Sequence, residues 1–138
     1  MFLIGLPGLE RALRKLGLAL TSAVILAALS ATVLQAKDVK RELGVVSRAQ
    51  LPAEAQQTEK LIRSGGPFRH AKDGSTFGNR ERALPAHARG YYREYTVATP
   101  GTRDRGARRI VCGGSQPAQP DACFYTADHY ASFKRIVH

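Results

Sequence analysis

The chain has few of the residues that form metal centres and nucleophilic centres. Its 138 residues include two cysteines, four histidines, one methionine and no tryptophan. No histidine has a cysteine or carboxylate partner at metal-ligand spacing, which argues against a zinc site. The sequence also has no Cys-x-x-Cys pair, no glycine-rich phosphate loop and no Ser-His-Asp signature. We therefore expect a protein without a metal or a cofactor.

Acidic residues are also scarce. The chain has 11 Asp and Glu against 21 Lys and Arg, which is a formal net charge of +10. Such an excess on one small domain favours polyanionic partners. Nucleic acid, anionic membrane and cell-wall polymers all fit this charge, so the charge alone does not identify the partner.

The amino-terminal segment is typical of a secretory signal. Basic residues precede an uncharged, largely apolar run, Leu16–Ala36, with small residues near its end. We expect a signal peptide over residues 1–36, with cleavage after Ser30 or after Ala36, and a secreted, extracellular product. The alternative is a transmembrane anchor, because the run is long enough to span a bilayer.

The remaining chain divides into a lead and one domain. Residues 37–50 are charged and lack clear periodicity, so we interpret them as a linker or propeptide-like lead. Residues 51–138 form the expected domain. It opens with the segment LPAEAQQTEKLIRSGG, which predicts a helix: Pro52 lies in the first turn and two glycines follow the end.

Strand signals follow the helix. The predicted strands are Gly90–Val97, Arg108–Cys112, Cys123–Thr126 and Ala131–Val137, with a short extended piece after the turn at residues 72–74. One helix followed by closely spaced strands predicts an α+β fold, in which the helix packs on a small antiparallel sheet.

The two cysteines flank a loop rich in glycine and proline. Cys112 and Cys123 each lie next to strand-like residues, with GGSQPAQPDA between them. Because an exported chain meets oxidising conditions, we expect one disulfide that closes a short hairpin. Two free thiols are the alternative.

One carboxylate lies within an arginine-rich stretch, GYYREYTVATPGTRDRGARRI, at residues 90–110. Strand alternation places one of Arg108 and Arg109 on the same sheet face as Glu94. A carboxylate among arginines stays ionised at neutral pH and can act as a general base. The guanidinium groups match phosphate oxygens in pairs. A simple cross-strand ion pair is the alternative for Glu94.

A general acid would complete this set, and His129 is the candidate. It lies at the corner between the last two predicted strands, whereas His70 and His87 lie among polar loop residues and His138 is the last residue. An ordinary surface histidine is the alternative.

Together these residues resemble the secreted guanyl-specific bacterial ribonucleases of the barnase type, and most closely the small streptomycete-type enzymes. The similarity runs over about residues 51–136. Its segments are GPF (66–68), FGNRE (77–81), GYYREYTV (90–97), TPG (99–101), RRIV (108–111) and DHY (128–130). The resemblance implies the microbial ribonuclease fold and a metal-independent endoribonuclease that cleaves single-stranded RNA after guanosine through a 2′,3′-cyclic phosphate.

The resemblance also implies residue roles. Glu94 matches the general base and His129 the general acid. Arg105 and Arg109 match the arginines that hold the scissile phosphate, and Tyr130 matches a tyrosine that contacts it. The matched guanine-binding loop consists of Phe77, Gly78, Asn79, Arg80 and Glu81. Relatives carry Gln or Ser at the position of Gly78, so we expect a looser loop here. The segment around Pro117–Pro120 lengthens a hairpin that is shorter in close relatives.

Other classes of function stay open at this point. The main alternative is a non-catalytic, basic, secreted module that binds nucleic acid or anionic polymer; an interbacterial toxin and an inactive enzyme are the others. A binder gains nothing from a carboxylate in a phosphate site, because the carboxylate repels the ligand. The expected partners are an RNA substrate and an acidic barstar-like inhibitor. We expect a monomer without stable membrane association after signal cleavage.

Overall fold

A computed structural model describes residues 43–138, and the expected signal peptide lies outside these described residues. The elements within them are β1 (Gly44–Ser47), a 3₁₀ helix (Arg48–Gln50), α1 (Ala53–Ser64), β2 (Ser75–Thr76), β3 (Tyr92–Thr96), β4 (Arg109–Gly113), β5 (Ala122–Thr126) and β6 (Lys134–Val137). No helix in this part of the chain has the length and apolar character needed to cross a membrane.

Helix α1 forms where the sequence predicts it. Pro52 is the N-cap residue, at a position where its missing N–H costs no helical hydrogen bond. Gly65 ends the helix with φ of 80°, a left-handed conformation that glycine adopts without steric cost. Ala55 and Ile62 are buried on the face that packs against the sheet.

The strands form one six-stranded sheet in the order β1-β6-β5-β4-β3-β2. Only the β1–β6 pair is parallel. The α+β class and the antiparallel order of β3 to β6 are as the sequence predicts, although β6 begins at Lys134 rather than at Ala131. Residues 128–132 instead form a hydrogen-bonded turn that proves central to the candidate site.

The folded part begins earlier than the sequence predicts. Residues 44–47, which the sequence places in a linker or lead, form the edge strand β1 beside β6. Val46 is half-buried against the core, but Val45 is exposed, so the four residues show little of the alternation that marks a strand. The pairing partner lies at the far end of the chain, and local sequence does not reveal it.

The sheet buries apolar side chains on both faces. The core on the helix side includes Leu51, Ala55, Ile62, Tyr95, Val97, Ile110 and Ile136. The smaller core on the opposite face consists of Leu84, Tyr92, Val111, Phe124 and Phe133. Tyr92 and Tyr95 therefore point to opposite faces, as strand alternation predicts.

Cys112 and Cys123 are bonded to each other, which confirms the predicted single disulfide. They lie directly opposite each other on β4 and β5, with Cα atoms 4.1 Å apart. Both are buried in the core on the helix side. The bridge therefore lies on the opposite face of the sheet from Val111 and Phe124.

Candidate active site

Glu94 projects from β3 on the sheet face that the helix does not cover. Its Oε1 accepts a hydrogen bond from Arg105 Nη2 at 3.1 Å, and its Oε2 accepts one from the Tyr130 hydroxyl at 2.9 Å. The side chain is 13 % exposed. Two donors from different segments therefore orient a carboxylate that solvent still reaches.

Arg105 lies in the loop between β3 and β4, and three oxygens hold its guanidinium. Besides the contact with Glu94, its Nε donates to Thr96 Oγ1 at 2.9 Å, and its Nη2 lies 3.9 Å from Asp73 Oδ1. Asp73 is nearly buried and also accepts the backbone N–H of Thr96 at 2.7 Å. These contacts hold one edge of the guanidinium against the sheet.

Arg109 shares the sheet face of Glu94, because the β3–β4 register places it opposite Thr96. It is only 2 % exposed, and its Nη1 donates to the carbonyl oxygens of Arg105, Gly106 and Arg108 at 2.7–3.1 Å. Its buried Nε has no hydrogen-bond partner. Within residues 43–138 no carboxylate lies at ion-pair distance from it. Burial of a cation without an anionic partner is costly.

Tyr130 connects Arg109 and Glu94. The Arg109 guanidinium carbon lies 5.9 Å from the centre of its ring, a cation–π arrangement. Burial raises the pKa of the Tyr130 hydroxyl, and the hydrogen bond to Glu94 and the charge of Glu94 raise it further, although Arg109 opposes them. The hydroxyl therefore stays protonated at neutral pH and donates a hydrogen bond to Glu94.

His129 and Tyr130 occupy a strained corner after β5. Their φ angles are 52° and 72°, a left-handed conformation that is rare for residues other than glycine. The backbone N–H of His129 donates to the Ala107 carbonyl at 3.0 Å, and that of Tyr130 donates to Thr126 Oγ1 at 3.1 Å. The imidazole of His129 is left exposed, with its centre 4.8 Å from that of the Tyr130 ring.

Asp128 stabilises this corner. Its carboxylate accepts hydrogen bonds from the Ser132 hydroxyl at 2.6 Å, the Ser132 N–H at 2.9 Å and the Thr126 hydroxyl at 2.9 Å. The Ser132 hydroxyl, with the other two donors, lowers the pKa of Asp128 to about 2. The ionised Asp128 thus ties the two ends of the turn that carries His129 and Tyr130.

The matched loop and the histidine corner line one cleft, which we call the central cleft. It has a volume of about 400 Å³ and is lined by Phe77, Gly78, Asn79, Arg80, Glu81, Ala83, His129, Tyr130 and Ala131. Phe77 stacks on Tyr130 with ring centres 5.2 Å apart. Glu81 is exposed, so its carboxylate is free to meet a ligand.

The side chain of Asn79 shapes the loop rather than the ligand surface. Its amide donates to the Leu84 carbonyl at 3.0 Å and accepts the Leu84 N–H at 3.1 Å. Gly78 has no such constraint: a side chain there would meet Arg80 only at an ordinary contact of 3.6 Å. A side chain such as Gln or Ser would therefore fit at this position, and the effect of Gly78 on the loop stays a prediction.

The structure groups the sequence-predicted residues into two adjoining sets. Glu94, Arg105, Arg109 and Tyr130 form one contact network, and the central cleft adds His129 and the segment Phe77–Glu81 through Tyr130. Arg109 does not pair with Glu94, so among residues 43–138 only Arg105 of the arginine-rich stretch contacts the carboxylate. Arg103, another arginine of the stretch at residues 90–110, lies apart, in a groove of about 720 Å³ between α1 and the loop after β3.

Three supporting residues do not stand out in the sequence. Asp73 and Thr96 hold Arg105, and Asp128 holds the histidine corner. The Lys72–Gly74 turn and the Asp-His-Tyr motif contain two of them, but only the fold shows what they contact. Among residues 43–138, no cluster of three or more His, Cys, Asp or Glu side chains could hold a metal ion.

Comparison with known protein families identifies the family of this chain. A family model described as ribonuclease matches residues 35–137. The chain therefore belongs to the ribonuclease family, among the microbial guanyl-specific ribonucleases, as the resemblance implies.

Particular relatives support this membership. Guanyl-specific ribonuclease Sa3 of Kitasatospora aureofaciens is 54% identical over 96 residues, which are 70% of this chain and 65% of that protein. Guanyl-specific ribonuclease Sa of the same organism is 52% identical over 93 residues, 67% of this chain and 93% of that protein. Ribonuclease Sa2, solved in complexes with mononucleotides, aligns with a TM-score of 0.66 at 43% identity, covering 72% of this chain and 98% of Sa2. The α+β microbial ribonuclease fold is thereby confirmed.

Proposed function

We propose that the chain is a metal-independent endoribonuclease that cleaves single-stranded RNA after guanosine. The observation that carries this proposal is the buried Arg109, which lacks an anionic partner and lies beside the partly exposed carboxylate of Glu94. A scissile phosphate supplies the missing anion. The names of the relatives, and a structure of ribonuclease Sa2 with guanosine-2′-cyclophosphate, support the same activity.

Glu94 is the proposed general base. Each carboxylate oxygen has two lone-pair positions, so the hydrogen bonds from Arg105 and Tyr130 leave room for the ribose 2′-OH. Glu94 removes the 2′ proton, and the 2′ oxygen forms a bond to the adjacent phosphorus while the bond to the 5′ oxygen breaks. His129, the general acid, protonates the departing 5′ oxygen. The product is a 2′,3′-cyclic phosphate, which is hydrolysed later with the two roles reversed.

Arg105 and Arg109 are the proposed phosphate clamp. Carbonyl oxygens fix Arg109, and Thr96 and Glu94 fix Arg105, so both cations are oriented before the substrate arrives. Preoriented donors of this kind stabilise the charge that develops on the phosphoryl oxygens. Tyr130 contacts the same phosphate and keeps Glu94 in place.

Glu81 is the proposed guanine-reading residue. Guanine presents N1–H and N2–H₂ as adjacent donors, and a carboxylate can accept both. Adenine has an unprotonated N1 at this edge, which a carboxylate would repel. Backbone N–H groups near Asn79 and Arg80 can donate to O6, and Phe77 supports the stacked base in the central cleft.

A purely binding role is not favoured. A binding protein would gain affinity from arginines alone, whereas Glu94 repels a phosphate at the same place. Tyr130 contacts Glu94 and lines the central cleft together with the exposed His129, so a base and an acid lie near one another, as proton transfer requires.

Export is also part of the proposal. Residues 1–36 act as the signal peptide, and the mature ribonuclease is a secreted monomer. The basic excess of the chain attracts RNA and makes binding salt-sensitive. An acidic, barstar-like inhibitor protects the producing cell before export. Mass analysis of the protein in culture medium tests the cleavage, and size-exclusion chromatography with light scattering tests the monomer.

Defined dinucleotides test the activity. Purified mature protein is incubated with GpU, ApU and the deoxy analogue dGpdU, and products are separated by chromatography. We expect guanosine 2′,3′-cyclic phosphate from GpU, slower cleavage of ApU, and no cleavage of dGpdU because the attacking 2′-OH is missing. Equal rates on GpU and ApU would remove the guanine preference, and cleavage of dGpdU would contradict the 2′-OH mechanism.

A further inference from the structure

A second cleft lies on the same sheet face as Glu94, at the opposite end of the strands. This distal cleft has a volume of about 250 Å³ and is lined by Pro85, His87, Tyr91, Tyr92, Phe124 and Arg135 together with Asp121 and Ala122. Tyr92 and Ala122 both pair with Gly113, the last residue of β4, whereas Thr96 and Thr126 pair with Arg109, the first. At about 3.3 Å per residue, the two ends of β4 are about 13 Å apart.

The distal cleft has a preformed aromatic platform. The Tyr91 ring lies directly over Gly113, where any side chain would collide with it. The Tyr91 hydroxyl donates to Asp121 Oδ2 at 3.1 Å, which anchors the ring to the hairpin. The imidazole of His87 stacks on Tyr91 with ring centres 3.7 Å apart and an interplanar angle of 11°, and it is exposed. Exposed rings fixed in this way are typical stacking surfaces for single-stranded bases.

An unpaired arginine adds a phosphate contact. Arg135 pairs with Phe124 across β5 and β6, so both lie on the same sheet face as Val111 and Glu94. Arg135 is exposed, and it forms no ion pair within residues 43–138. Lys134, its neighbour on β6, points to the opposite face. An aromatic platform beside one free guanidinium suits a nucleotide rather than an apolar ligand.

The position of the distal cleft indicates which nucleotide it takes. The phosphate clamp and His129, which meet the 3′ side of the guanosine, lie at the Arg109 end of the sheet. The distal cleft lies at the other end, and only Leu84 separates Ala83 of the central cleft from Pro85 of the distal cleft. We propose that the distal cleft binds a nucleotide on the 5′ side of the cleaved guanosine, with the base on His87 and a phosphate on Arg135. This proposal rests on the proposed function.

Substrate extension tests it. The values of kcat/KM are measured for GpU, for UpUpGpU, which is extended on the 5′ side, and for GpUpU, which is extended on the 3′ side. We expect the wild type to cleave UpUpGpU at least about fivefold better than GpU, because stacking of one base contributes on the order of 1–3 kcal/mol. His87→Ala should lose most of this gain and leave GpU and GpUpU unchanged, and His87→Phe should restore it. Arg135→Ala should reduce the gain, whereas the matched charge removal Lys134→Ala should not.

Several outcomes would overturn the proposal. One is a wild type that gains nothing from the 5′ extension, and another is a His87→Ala variant that keeps the full gain. Equal losses on GpU and UpUpGpU in His87→Ala would show a structural role instead. If the wild type does not cleave GpU at all, the proposed function fails. The distal cleft is then tested by titrating the protein with the uncleavable dUpdUpdGpdU and dGpdU. Equal affinities for the two would contradict the proposed nucleotide site.

Discussion

Reduction of the disulfide should lower stability without disturbing catalysis. Cys112 and Cys123 are 11 residues apart in sequence, and the bridge closes that loop in the unfolded chain. The chain-entropy relation gives a loss of about 3 kcal/mol in the free energy of unfolding at 25 °C when a loop of this size is opened. For a domain of this size, each kcal/mol corresponds to about 4–8 °C in Tm. We therefore expect Tm to fall by roughly 10–25 °C.

Reduction is a cleaner perturbation than substitution. Both sulfur atoms are buried in the core on the helix side, so replacement by serine would add buried hydroxyls and replacement by alanine would remove packing. Thermal unfolding of the oxidised and the reduced wild type is followed by circular dichroism. Intact mass should rise by the mass of two hydrogen atoms on reduction, and the native oxidised protein should not react with a thiol reagent.

Measuring the activity of the reduced protein tests whether the disulfide is independent of the candidate active site. The bridge lies on the helix face, whereas Glu94, Val111 and Phe124 lie on the other face. At 25 °C the reduced protein, if it is still folded, should cleave GpU within about twofold of the oxidised protein. A Tm change below about 4 °C would refute the entropic reasoning, and a folded but inactive reduced protein would refute the separation of the bridge from the site.

Three further predictions concern the site. Arg109→Ala should lower kcat/KM for GpU by about 10²–10³, because it removes a donor to the developing charge. The control Arg108→Ala, on the helix-side face, should lower kcat/KM by less than about threefold. Equal small losses in both variants would indicate simple electrostatic binding. Asp128→Asn should lower the urea midpoint of unfolding at pH 7. Because the folded pKa of Asp128 is lowered to about 2, the difference in midpoint between variant and wild type should disappear as the pH falls from about 4 to 2. A difference in midpoint that does not depend on pH would contradict this role. Glu81→Ala should narrow the ratio of GpU to ApU cleavage by roughly 1–3 kcal/mol in kcat/KM, and an unchanged ratio would exclude Glu81 from base recognition.

The elements with strong local signals could be predicted from the sequence. Pro52 and Gly65 bracket α1, and the alternating pattern of Gly90–Val97 identifies β3 and its two faces. Alternation also predicts that one of Arg108 and Arg109 shares the sheet face of Glu94, and the β3–β4 register shows that it is Arg109. The disulfide could also be predicted, because Cys112 and Cys123 flank a loop rich in glycine and proline.

Features that depend on distant partners could not be predicted in this way. Strand β1 exists because β6, at the far end of the chain, pairs with Gly44–Ser47, and no local period marks those residues. The role of Asp73 depends on the approach of Arg105 and Thr96 from other segments. The left-handed corner at His129 and Tyr130 depends on Asp128 and Thr126, whose side chains replace the hydrogen bonds that a strand would make. A strand prediction that starts at Ala131 therefore begins too early.

The central claim is that Glu94 and His129 transfer protons during cleavage after guanosine. The most direct measurement compares kcat/KM for GpU in the wild type, Glu94→Gln and His129→Ala, with circular dichroism confirming that each variant is folded. Glu94→Gln keeps the size of the side chain and one acceptor oxygen, but its NH₂ group replaces the other oxygen and the side chain no longer accepts a proton at neutral pH. We predict that guanosine 2′,3′-cyclic phosphate forms about 10²–10⁴ more slowly in each variant. A folded variant of either kind that cleaves GpU within about threefold of the wild type would contradict the account.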